Sequence, residues 1–138
     1  SATRSLETSV YQLTRELLQN HYQQVYEVLH RLFYQREKPI MILSVLSGCY
    51  VDLYRAKAAA SAGVPAESLA AEFKYRGREF VLRNAARDSA RLSLPTLRRC
   101  LDVLAQADTQ LKSGRADEER GVLEKTVAKL IVLAKSGR

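Results

Sequence analysis

Apolar residues recur at intervals of three and four along almost the whole chain, the period that gathers them on one face of an α-helix. Val10, Leu13 and Leu17 form the first such face. Ser9, followed three residues later by Gln12, reads as a capping box, so a first helix is predicted to start there and to end near Asn20. Tyr22, Val25, Tyr26, Leu29 and Leu32 predict a second helix that stops in the polar stretch from Gln35 to Lys38. Pro39 suits a helix N-terminus, and Leu43, Leu46, Tyr50 and Leu53 continue from it with Ile42, Val45 and Cys49 alongside. So broad an apolar surface predicts a central helix, ended by Gly63.

The second half carries the same signal at lower density. Pro65 is predicted to open a short helix through about Phe73, with a turn over Lys74 to Gly77. From about Arg78 to Leu92 the next helix sets Val81, Leu82, Ala85 and Ser89 against Arg83, Arg87 and Arg91 on its other side. Ser93 is placed to cap a helix in which Leu97, Leu101, Leu104 and Leu111 face inward, and Gly114 ends it. Asp117, Glu118 and Glu119 favour a new N-terminus, where acids meet the positive end of the helix dipole. The last helix carries Leu123, Val127, Leu130, Ile131 and Ala134. No alternating strand pattern, repeat or linker interrupts this order. The fold class is all-α, a single compact bundle of about five main helices plus one or two short ones.

A length of 138 residues suits one domain, able to bury roughly 65 to 70% of its unfolded surface. The longest apolar run, Pro39 to Val51, is too short for the roughly 20 residues of a bilayer span. Cys49 and Cys100 lie inside apolar segments, which predicts small buried hydrophobes in a reduced, cytoplasmic setting. The opening Ser-Ala-Thr-Arg-Ser lacks the order of a signal peptide, and residues 1–8 are expected to be an N-terminal extension or an expression scar on an excised fragment.

Charge adds one local feature. The net charge is +7, and between Lys74 and Arg99 eight basic residues face only two acids. Such a patch favours anionic partners. The segment 64–73, a turn and the basic helix 78–92 also read as a helix-turn-helix offering Arg83, Arg87 and Arg91 to DNA. A solvated or protein-facing surface is the simpler reading of the same arginines. Together with Lys112 and Arg115 they make the candidate surface for a partner or for DNA.

Catalytic chemistry finds no footing. Glu27 and His30 make one helical ligand pair, but no second pair exists and His21 has no such neighbour, so no metal site is expected. No glycine-rich phosphate loop occurs, and therefore no nucleotide and no other cofactor is expected. Glu118 and Glu119 are explained by the helix dipole rather than by acid–base work. Tyr11, Tyr22, Tyr26, Tyr34, Tyr50 and Tyr54 crowd the first 54 residues. Core-edge packing is the commoner use of such tyrosines, and an interface is the alternative.

The order and spacing of several segments resemble the C-terminal domain of the delta subunit of bacterial DNA polymerase III, a clamp-loader family. They are Lys38-Pro39-Ile40-Met41-Ile42-Leu43, Val51-Asp52-Leu53-Tyr54-Arg55-Ala56-Lys57, Glu79-Phe80-Val81 through Ala86-Arg87, the helix Leu97 to Ala107, and its end from Asp108 to Gly114. The resemblance implies that residues 9–136 are a helical collar-like oligomerisation domain without enzymatic activity. It implies partners among the other loader subunits, of delta prime and gamma/tau type, in a pentameric assembly that loads the sliding clamp on DNA. The clamp itself would be touched only by an N-terminal module outside this chain, and DNA contact here would be indirect or weak and non-specific.

Overall fold

In the computed structural model, which describes residues 2–137 with side chains from Ser5, the chain forms helices α1 (Ala2–Leu18), α2 (Tyr22–Tyr34), α3 (Pro39–Ser61), α4 (Glu79–Asp88), α5 (Leu94–Ser113) and α6 (Glu119–Ser136). Single 3-10 turns stand at Ala66–Leu69 and Ala116–Glu118. No strand occurs among the described residues.

The central helix is α3, as its apolar breadth predicts. It packs on α5, α4, α1 and α6, while α1 pairs with α2 and α5 with α6. Ile42, Leu43, Leu46, Tyr50, Leu53 and Ala56 are nearly or wholly buried along it. Around them close Leu13 and Leu17 of α1, Leu29 and Leu32 of α2, Leu97 and Leu104 of α5, and Leu123 and Leu130 of α6. Leu101 and Ile131, expected inside, are only partly covered.

The first helix begins at Ala2 rather than at Ser9. Leu6 is buried one turn ahead of Val10, so the apolar face runs Leu6, Val10, Leu13, Leu17 and carries the helix back past the expected cap. Ser9 lies within that helix and caps nothing; of the stretch 1–8, Ser1 lies outside the described residues. The expected helix from Pro65 to Phe73 shrinks to one 3-10 turn followed by further turns. Only Ala66 there is buried, and Ser68, Ala71 and Glu72 are exposed, so no continuous apolar face exists to hold a longer helix.

Three helix ends share one device. At the ends of α1, α2 and α3 the amide two residues past the cap bonds back across the last turn: His21 N–H to Glu16 O at 2.9 Å, Glu37 to Leu32 at 3.0 Å and Val64 to Ala59 at 2.9 Å. These are Schellman closures, which require a left-handed residue just before that amide. The residues there are Asn20 (φ 62°), Arg36 (φ 62°) and Gly63 (φ 73°). Gly63 and Asn20 suit the conformation, whereas Arg36 pays the Cβ penalty of roughly 1 kcal/mol. Arg36→Gly is therefore expected to raise stability by up to about 1 kcal/mol, read as a higher urea midpoint at unchanged slope. A lower midpoint would mean that the Arg36 side chain makes a contact outweighing its backbone strain.

At the other end of the chain, the Ser93 hydroxyl accepts the Thr96 amide at 3.2 Å and caps α5 as its sequence predicts. The Thr96 hydroxyl in turn donates to the Gly137 carbonyl at 3.2 Å, which also receives the Ser93 amide at 3.4 Å. The start of α5 and the end of α6 thus share one hydrogen-bonded junction.

Candidate partner-binding surface

Helix α4 is shorter than its sequence suggests, and the reason lies at its end. Ser89 is completely buried with its hydroxyl on the Ala86 carbonyl at 3.3 Å. The Lys57 ammonium of α3 holds the Ala90 carbonyl at 3.1 Å. Leu92 then turns inward and Ser93 starts the next helix. Of the three arginines expected on one helical stripe, Arg83 and Arg87 stand on α4 and Arg91 lies in the turn beyond it. All three are exposed. Because the segment before α4 is a 3-10 turn and loop rather than a helix, the first member of a helix-turn-helix is missing, and that reading is overturned.

Arg87 and Arg91 line a hollow of about 400 Å³ together with Arg15 and His21 from the end of α1. Its charge is tempered by Asp88, which Arg87 contacts at 3.1 Å, and by the His21–Glu16 pair at 2.7 Å. Lys112 and Arg115 do not join this cluster. Lys112 pairs with Asp108 at 2.8 Å on α5, and Arg115 reaches Asp117 at 3.4 Å in the turn before α6. Such exposed pairs contribute at most about 1 kcal/mol.

A second arrangement crosses from α3 to the loop before α4. Tyr75, buried, donates its hydroxyl to the Asp52 carboxylate and receives a hydrogen bond from Arg55 at 3.1 Å. The Arg55 guanidinium also lies over the Phe73 ring at 4.1 Å. Burial pushes the Asp52 carboxyl above its usual range, and the bond from Tyr75 only partly opposes it. Inside this set every group has a structural partner, so its plain effect is to pin the loop 70–77 against α3.

Cys49 and Cys100 are both buried and free. Burial pushes their thiols up to about 12 and about 11, so neither is a thiolate nucleophile at neutral pH. Among the described residues, no three His, Cys, Asp or Glu side chains come together as a metal site, and no helix is long and apolar enough to cross a membrane. Of the six early tyrosines, Tyr50 is wholly buried, Tyr34 is 88% exposed and the others are half-buried at the core edge.

Arg15 and Phe80 also line hollows here, and neither is a candidate surface residue on local sequence pattern. Arg15 sits about 70 residues from Arg87, and nothing in its own neighbourhood marks it. Phe80 is a large aromatic on the solvent side of a short helix, 49% exposed. The break in amphipathicity at that position was the signal that could have found it.

Comparison with known proteins places this chain in a family. A family model described as the DNA polymerase III delta subunit, C-terminal domain, matches residues 7–130. The curated DNA polymerase III subunit delta of Bacillus subtilis (strain 168) is 27% identical over 117 residues, which are 84% of this chain and 33% of that protein. The chain therefore spans about a third of the length of this relative. Among solved structures, the Bacillus subtilis DNA clamp loader delta protein superposes with a TM-score of 0.85 at 24% identity, over 94% of this chain and 37% of that one. The latter likeness concerns the fold. With the family model covering all but the ends of the chain, the resemblance in the sequence holds: the chain belongs to the family of C-terminal domains of DNA polymerase III delta subunits.

Proposed function

We propose that this chain is the collar, the oligomerisation domain, of a cytoplasmic clamp-loader delta subunit. It holds that subunit in a pentameric assembly with delta prime and gamma/tau type subunits, which loads the sliding clamp on DNA. Contact with the clamp belongs to other parts of the parent protein. The observation that carries the reading is the family match over residues 7–130. A helical bundle with an exposed arginine surface and, among the described residues, no three side chains gathered as a metal site is in keeping with it. In this role the domain makes no covalent chemistry, and Arg83, Arg87 and Arg91 serve a contact between subunits. Lys112 and Arg115 form a second, separate candidate contact. Any affinity for DNA is weak, indifferent to sequence and steeply reduced by salt, because phosphate contacts release counterions without reading bases.

The test is reconstitution of the chain with purified delta prime and gamma/tau type subunits, followed by size-exclusion chromatography. Co-elution with them is expected, together with its loss when Arg83, Arg87 and Arg91 are all changed to glutamate. Helix content should stay nearly intact, since exposed substitutions alter stability by about 0.5 kcal/mol or less each. A chain that never associates sinks the collar reading. Association that survives the triple change removes the arginines from the contact.

A further inference from the structure

Helices α1 and α4 both lie on α3, and a trough runs between them. Three hollows open along it. The first, of about 400 Å³, holds Arg15, Arg87 and Arg91. The second, of about 200 Å³, shares Arg15 and Asp88 with the first and is walled by Tyr11 of α1 and Phe80 of α4, with Leu53 of α3 among its lining. The third, of about 390 Å³, shares Tyr11, Cys49 and Asp52 with the second and ends at Arg55, Lys74 and Arg78. Shared walls make them one groove. It follows α1 from Glu7 to Leu18, about 16 Å at the rise of a helix, which is the length of roughly three helical turns.

We propose that this groove docks a short amphipathic segment of a partner protein, with large apolar side chains at its middle and carboxylates toward both ends. It rests on the reading that this domain works through protein contacts, and it names where and what the contact is. The charge pattern decides the chemistry. Arg15, Arg87 and Arg91 stand at one end and Lys74 and Arg78 at the other, beside an Arg55 already held by Tyr75 and Phe73, and at the middle Phe80 offers an apolar ring that is 49% exposed. The acids in the walls are partly spoken for by the groove's own residues: Asp88 pairs with Arg87 and Asp52 holds the Tyr75 hydroxyl. Arg15 and Arg91, by contrast, form no ion pair among the described residues. A desolvated apolar anchor surrounded by charge complementarity is the usual construction of a helix-in-groove contact.

A single nucleic-acid strand fits the same groove less well. It carries a phosphate at every nucleotide and so sets negative charge along the middle of the groove, where Asp52 and Asp88 stand with Arg15 as the one basic lining residue. Sequence-tolerant strand binding also requires a succession of free aromatic faces. Here Phe73 is already covered by Arg55, Tyr11 is half-buried and Phe80 stands alone.

A displayed library of random 12-residue peptides selected on the 138-residue chain tests the proposal, with amide chemical shifts mapping where the recovered peptides bind. Recovered sequences should converge on a central large apolar residue flanked by Asp or Glu on both sides. Their footprint should fall on Tyr11, Phe80 and Asn84. Phe80→Ser should weaken binding by about tenfold or more, the usual cost of losing a central anchor. Arg15→Glu with Arg78→Glu should turn the preference toward basic flanks; these positions are exposed, and circular dichroism checks that the helices remain. No convergence, convergence without acids, or a footprint elsewhere overturns the proposal. So does stronger competition by a 12-nucleotide oligo-dT, or a footprint explained by a second copy of the chain. If reconstitution with the loader subunits succeeds while this selection fails, the groove is wrong and the collar stands; the opposite pair of results rejects the collar and keeps the groove.

Discussion

Leu46→Ala should cost about 3 kcal/mol of stability and lower the melting temperature by roughly 10 °C for a chain of this size. Leu46 is fully buried on the central helix, against which four other helices pack. Removing its branched end forfeits transfer free energy and leaves a void, and the outcome depends on how far the neighbours collapse. Collapse is hindered here because α3 is fixed from several sides at once, by α5, α4, α1 and α6. A neighbour that moves to fill the hole must leave another packed face. Thermal unfolding followed by circular dichroism gives the number. A loss below about 1 kcal/mol would show that the centre of the bundle is loosely packed, contrary to its burial.

Tyr50→Phe should move stability the other way, by about 1 to 2 kcal/mol upward. Tyr50 is wholly buried one turn further along α3, and its hydroxyl has no hydrogen-bond partner. A buried hydroxyl stripped of water without a partner costs about 1 to 3 kcal/mol, while the ring itself packs the same with or without it. Burial also drives its proton affinity well above that of an ordinary tyrosine, so the group stays neutral and offers nothing electrostatic in return. Chemical denaturation of the two proteins compares them directly. If the phenylalanine variant is less stable by more than about 0.5 kcal/mol, the hydroxyl has a partner after all, and an ordered water is the first to look for.

Tyr50 also marks what a sequence can and cannot convey. Its position in the period of three and four, beside Leu46 and Leu53, was enough to place it on the inner face of a helix. The same periodicity marks α2 by its apolar face alone, and α3, α5 and α6 by such a face with a recognisable end: Pro39, Ser93, Gly114 and the acids before α6. Where ends were misplaced, the deciding contact was distant or the local signal false. Ser9 and Gln12 imitate a cap, yet Leu6 keeps the helix going because it has a core to enter. The end of α4 depends on Lys57, 33 residues away, taking the Ala90 carbonyl. The candidate surface was half legible for the same reason. Local periodicity makes Arg83, Arg87 and Arg91 solvent-facing, but Arg15, which lines the same hollow as Arg87 and Arg91, comes from another helix, and Lys112 and Arg115 pair with acids elsewhere.

The junction of Ser93, Thr96 and Gly137 has a mechanical meaning. A pull applied at Gly137 does not simply peel α6 away from its last turn. It is delivered through the Gly137 carbonyl to the cap of α5, and α5 is packed along α3. The hairpin of α5 and α6 is closed at one end by its turn and at the other by this clasp, so the clasp has to break before α6 can peel away from the cap of α5. Tension at one extremity is thereby shared with the centre of the bundle, as suits a domain whose proposed work is to keep neighbours joined while they move.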